Sequence, residues 1–219
     1  MTNETWNIKE LRELLGDKLA GECGKRFEAY VDSYIYKQRR TVCHKKTFNK
    51  ITGELFSKSK IDFDNQEVQF ALDSAMAEVE AIAQLLNSLG DILVQIVNLI
   101  ILGDKGYPED RVYIKTVIDK LEQTNKAPKV LEKLENLFDG DAYKYVRAFC
   151  NVTKHTRIID WEYYWSFKPG KSEHGVRFRD FHYKENDYLK ISSDTIMEEY
   201  SNKIYDDVVS VGKAINEAF

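Results

Sequence analysis

Arginine, asparagine, lysine and histidine stand at positions 147, 151, 154 and 155, a set of side chains able to bind and cleave a phosphodiester. Histidine titrates near neutrality, so His155 can accept a proton from a ribose 2′-hydroxyl or give one to a leaving oxygen. Arg147 and Lys154 can stabilise charge developing around phosphorus, while Asn151 can orient a phosphate or the imidazole. At roughly 100° per helical residue, Asn151 lies about 40° from Arg147, Lys154 about 20° to its other side and His155 about 80° away. All four therefore share one stripe, which no carboxylate interrupts, and Arg157 follows just beyond it. The other side of the same segment carries Ala142, Tyr145, Phe149 and Val152, so the spacing predicts an amphipathic helix with an unusual polar face.

Such a helix needs a scaffold. The chain has 219 residues, enough for one good core, and reads as a single domain over 1–219 with an appended element. Charged residues make up 31% and hydrophobic residues 43%, with only 3 prolines, a composition that favours a globular helical protein over a disordered one. A formal net charge of -4 argues against a protein that coats nucleic acid indiscriminately, so any contact with nucleic acid should be focused. Cys23, Cys43 and Cys150 are far apart and form no Cys-x-x-Cys, which suggests neither a disulfide framework nor a zinc site. The start Met1-Thr2-Asn3-Glu4 lacks the basic and apolar parts of a signal peptide. The longest apolar run, Ile92 to Leu102, is broken by Gln95 and Asn98 and is too short to span a bilayer. A cytoplasmic chain without membrane, metal or cofactor is expected.

Along the chain, apolar residues at helical spacing predict one broken helix or two short ones between Trp6 and Tyr36, with Gly16-Asp17 and Gly21 as interruptions. From Lys37 to Lys60 the sequence turns basic and loses periodicity, with Lys37, Arg39, Arg40, Lys45, Lys46, Lys50, Lys58 and Lys60 against the single acid Glu54. We read 37–60 as a basic loop or irregular hairpin around Thr52-Gly53. Asp64 and Glu67 have capping-box spacing and open a helix that can run to Leu102, with Gly90 as a potential kink. On it, Gln84, Asn87, Asp91, Gln95 and Asn98 form a narrow polar stripe, expected to face another helix or a partner subunit. Further helices are predicted ending near Thr124, starting at Pro128, and from about Asp194 to Ala218. Between Ile159 and Phe167 the period becomes alternating, so 158–191 reads as a β-hairpin insertion, with Val176 to Tyr183 as the returning strand. The fold class is mainly α: a helical bundle with a β-hairpin before its C-terminal helix.

A late bundle helix bearing Arg147 and Asn151-Val-Thr-Lys154-His155 resembles the HEPN superfamily (higher eukaryotes and prokaryotes nucleotide-binding domains), in the branch whose motif reads Asn-x-x-Lys-His. The resemblance covers about Phe63 to Arg157 plus the last helix. Active members are metal-independent ribonucleases whose two motifs face each other in a homodimer, some of them in toxin or defence systems. Others bind nucleotides or assist a partner protein without catalysis. The resemblance thus implies catalytic roles for Arg147, Asn151, Lys154 and His155. In this chain seven residues separate Arg147 from His155, longer than the family's four to six. Two functions follow as alternatives: an endoribonuclease acting by 2′-hydroxyl attack in a composite dimer site, or a non-catalytic module that binds RNA, nucleotide or a protein partner.

Outside the motif, Lys37, Arg39, Arg40, Lys45 and Lys46, with Phe48 and Phe56 interleaved, can track a phosphate backbone, or form an ordinary solvated loop. Trp161, Trp165, Arg177, Phe178, Arg179 and Phe181 can stack bases, although an aromatic strand more often covers a core. Gly170-Lys171-Ser172 ends like a P-loop, but Trp165 stands where its first glycine belongs. His174 and His182 lack metal-ligand spacing, and Cys150 reads as a small packed side chain.

Overall fold

The computed structural model describes residues 5–57, 61–168 and 171–219. It is mainly α: α1 (Ile8–Leu15), a 3-10 turn (Gly16–Leu19), α2 (Gly21–Phe56) and α3 (Gln66–Val97), which continues as a π turn (Asn98–Leu102). Then come α4 (Ile114–Thr124), α5 (Pro128–Asp139) and α6 (Asp141–His155). Strands β1 (Trp161–Lys168), β2 (Lys171–Phe178), β3 (Phe181–Tyr183), β4 (Asn186–Tyr188) and β5 (Ile191–Ser192) precede a π turn (Thr195–Tyr200) and α7 (Ser201–Asn216). The chain forms two compact units interleaved in sequence. One comprises Met1–Gln38, Leu86–Lys144 and Asn202–Phe219, the other Arg39–Leu85 and Tyr145–Ser201.

In the first unit, Leu11, Leu15, Phe27, Val31, Leu89, Leu93, Ile96, Val117, Leu134, Val208 and Ile215 are buried, each from the apolar stripe of its helix. Trp6 donates its indole N–H to Asn216 Oδ1 at 2.9 Å and meets the Tyr34 ring edge-on. α3 runs through Gly90 without a break. The glycine's missing side chain leaves room for Tyr143, since a Cβ there would sit 2.1 Å from the phenolic oxygen. Of the polar stripe, Asn98 is buried and clamps the following loop, accepting from the Tyr107 N–H and donating to the Tyr107 carbonyl. Gln95 donates to the Glu109 carbonyl, whereas Gln84 and Asp91 are exposed. Gly103, at φ +55, ends the helix in a conformation that glycine adopts without strain. The stretch Gln66–Lys105 is long and apolar enough to cross a membrane by length and composition, and 56% of its apolar window is buried inside the protein, as in a core helix.

The second unit corrects the reading of 37–60. There is no basic loop over the described part of that stretch: α2 runs unbroken to Phe56, and Lys58 to Lys60 lie outside the described residues. The helix keeps its period through Thr41, Lys45, Phe48 and Leu55, all buried. Two of those inner positions are polar, which hid the stripe. Lys45 resolves its burial by directing its ammonium to Glu198, 3.3 Å away. The cap of α3 also differs from the expected one: Asn65, not Asp64, accepts the Glu67 N–H, at 2.8 Å, because a turn closed by Asp62 shifts the start by one residue.

The strands are where alternation placed them, with a changed register at the return. β2 pairs antiparallel with β1 from Trp161↔Phe178 to Lys168↔Lys171, and β5 joins β2, giving the order β1-β2-β5. The expected turn at Pro169-Gly170 lies outside the described residues. Phe181 to Tyr183 does not continue the return strand but starts a second hairpin with β4. The break falls at Arg179-Asp180, where the Arg179 N–H reaches the Asp160 carbonyl and Asp180 accepts from the Lys190 N–H.

Candidate nucleic-acid interface

Helix α6 is held in the second unit by aromatic packing. Tyr145 packs on Phe181, Tyr188 and Tyr200 with ring centroids 5.3 to 5.7 Å apart, and Phe149 meets Phe178 at 4.8 Å. Burial pushes the Tyr145 phenol well above its ordinary range, helped by the neighbouring Tyr200. With Val146, Phe149, Cys150 and Val152 facing inward, the remaining face must point to solvent.

That face carries Arg147, Lys154 and His155, all exposed, with Asn151 half-buried between them. Arg157 is exposed just past the helix end, where its N–H and that of Thr156 both reach the Val152 carbonyl. Among the described residues, none of Arg147, Lys154, His155 and Arg157 has a carboxylate within ion-pair distance. Lys154 and His155 occupy the last turn, where the negative end of the helix dipole favours positive charge. Asn151 is committed differently: its amide N–H donates to the Arg147 carbonyl at 2.7 Å, one turn back in the same helix.

The second group of basic residues separates. Arg39, Arg40 and Lys46 are exposed on α2, Lys37 is half-buried, and Lys45 is buried against Glu198, so it is not a surface phosphate contact as expected. Because α2 is helical here, Lys46 and the exposed Lys50 fall about 20° to either side of Arg39, a narrow stripe about 16 Å long. The β-region offers less to a base. Phe178 and Phe181 are buried, and Arg177 and Arg179 are paired with Glu162 at 2.6 and 3.3 Å. Trp165's side chain lies outside the described residues.

One pair escaped the sequence reading. His44 Nδ1 lies 2.5 Å from Glu78 Oε2, with both side chains about one-fifth exposed. The two residues belong to different helices and are 34 positions apart, so no local spacing signals them. His182 pairs with Asp187 across the β3–β4 hairpin, and its imidazole is held above its ordinary value, chiefly by that hydrogen bond. No three His, Cys, Asp or Glu side chains converge as a metal site among the described residues.

Fold and site together define a mainly α protein that presents a cationic helix face, without ion-pair partners among the described residues and with a histidine at its end. No protein-family model, no curated protein and no solved structure matches the chain.

Proposed function

We propose that this protein acts on RNA through the outer face of α6, as a HEPN-like, metal-independent endoribonuclease that works as a homodimer. The observation that carries the reading is the exposure of Arg147, Lys154 and His155 on one helix face without carboxylate partners among the described residues. Unpaired cations beside an imidazole suit a phosphodiester, whose charge they neutralise while the imidazole moves a proton. One His155 takes the 2′-hydroxyl proton, O2′ attacks phosphorus, and the bond to O5′ breaks as a second acid protonates that oxygen. The products are a 2′,3′-cyclic phosphate and a 5′-hydroxyl. A single copy brings one His155, and a second copy facing it supplies the other acid–base group.

RNA binding without cleavage is the second reading, favoured by Asn151, whose amide is occupied by its own helix. A cleavage assay in EDTA with end-group analysis separates the two. Cyclic-phosphate ends that vanish in His155→Ala support the enzyme. Intact RNA bound with salt-sensitive affinity supports the binding module, and neither behaviour removes RNA as the target.

A further inference from the structure

The first unit contains a cavity of about 700 Å³, within the range of small-molecule sites, far from the α6 motif in sequence and formed by other elements. Leu15, Leu19, Leu99 and Ile100 give it an apolar wall. Around that wall stand Lys18, Arg26, Lys105 and Lys126, with Asp104 as the only acidic side chain in the lining. Arg26 is already compensated: its Nε lies 3.6 Å from Glu109 and its Nη2 donates to Tyr30. The three lysines are not. Lys18 rests over the Phe219 ring at 4.7 Å, Lys126 reaches only the Ile101 and Leu102 carbonyls at 3.4 and 3.3 Å, and Lys105 is exposed. Among the described residues no side-chain carboxylate lies within ion-pair distance of any of them.

Three ammonium groups without a side-chain counter-ion among the described residues, against one acidic side chain in the lining, make a local positive field in a chain whose net charge is -4. A cation gains nothing there, and a purely apolar molecule leaves the lysines unused. We propose that this cavity binds an organic phosphate monoester, its dianion held by Lys18, Lys105 and Lys126 and its apolar or aromatic body against the leucine wall. Lysine suits this role as a compact point charge for phosphate. The site is separate from the proposed action on RNA and stands or falls independently of it.

Cys23 lines the same cavity and is half-buried, whereas Cys43 is exposed in the other unit, so the chain contains its own reporter and control. The test is alkylation of the intact protein by iodoacetamide, read by mass spectrometry with 1-naphthyl phosphate as probe. At probe about ten times its Kd, Cys23 alkylation slows about tenfold while Cys43 is unchanged. The double variant Lys18→Gln/Lys105→Gln, altered only at exposed side chains, weakens the probe's Kd by about tenfold. Equal protection by neutral 1-naphthol, equal protection by inorganic phosphate alone, or no protection at millimolar probe each overturns the proposal. So does an unchanged Kd in the double variant when its circular dichroism matches that of the parent.

Discussion

The side-chain amide of Asn151 donates to the backbone carbonyl of Arg147, 2.7 Å away, so the two residues named together in the motif are joined through their own helix. Asn151 is thereby the member of the polar face least able to reach a phosphate. Replacing it with Ala should leave RNA affinity within about twofold, because the lost contact is a local one. Arg147→Ala or Lys154→Ala should each weaken binding and reduce the slope of log K against log salt by about one. Fluorescence anisotropy across a salt series measures both. An Asn151→Ala loss as large as that of Arg147→Ala would show that the amide turns outward when RNA arrives.

Lys45 and Glu198 give a second separation. Lys45 is 7% exposed and Glu198 is largely exposed, so the pair is an internal tether of the second unit. Lys45→Met should leave RNA affinity unchanged and stability within about 1 kcal/mol, since an apolar side chain of similar length fills the same space. Glu198→Gln leaves the buried ammonium without its counter-charge and should cost about 1 kcal/mol or more in urea unfolding. By contrast, Arg39→Ala with Lys46→Ala should weaken RNA binding without affecting stability. A loss of RNA affinity in Lys45→Met would return that lysine to the surface.

Gly90 and Tyr143 test the packing of α3. Alanine normally favours a helix over glycine by about 1 kcal/mol. Here its Cβ would meet the Tyr143 ring and hydroxyl and Phe138 Cε1, with approaches of 2.1 to 2.8 Å. The Tyr143 hydroxyl is also tied to the Asn87 carbonyl at 2.9 Å, so the ring cannot simply swing away. Gly90→Ala should therefore destabilise by about 1 to 3 kcal/mol. In a Tyr143→Phe background the cost should shrink by about 0.5 kcal/mol or more, measured as a double-mutant cycle. A stabilising Gly90→Ala would mean that propensity outweighs the clash.

The sequence was legible where side-chain type and burial agree. The inner faces of α4, α5 and α7 follow from leucine, valine and isoleucine at helical spacing, and the polar face of α6 from Arg147, Asn151, Lys154 and His155 set against Tyr145, Phe149 and Val152. It misled where they disagree. Thr41 and Lys45 occupy inner positions of α2, and a buried lysine reads as a loop residue until its partner Glu198, 153 positions away, is known. His44 and Glu78 were invisible for the same reason. Within the motif, types and spacing located four residues on one face, yet only coordinates distinguish the committed amide of Asn151 from the exposed Arg147, Lys154 and His155. A helix wheel gives direction but not hydrogen-bond occupancy.

Acid should reveal the tie between α1 and α2. Arg12 holds Glu28 in a two-pronged ion pair, at 2.9 and 2.7 Å, and that hydrogen-bonded guanidinium keeps the Glu28 carboxyl below its usual range. A depressed folded-state value means the stabilisation is present above the unfolded carboxyl's titration, near about pH 4.3, and is lost as pH falls through the folded value. Both side chains are more than 40% exposed, so solvent and salt screen the pair. Its worth at pH 7 is about 0.5 kcal/mol. Glu28→Gln should lower stability by that amount at pH 7, by less in about 1 M salt, where the Debye length is about 3 Å. As the pH falls below about 4 the difference should shrink, because the parent's carboxyl is then increasingly protonated and as neutral as the amide. Urea unfolding of parent and variant at pH 7 and pH 3 decides it: a deficit that persists unchanged in acid assigns the loss to packing and not to charge.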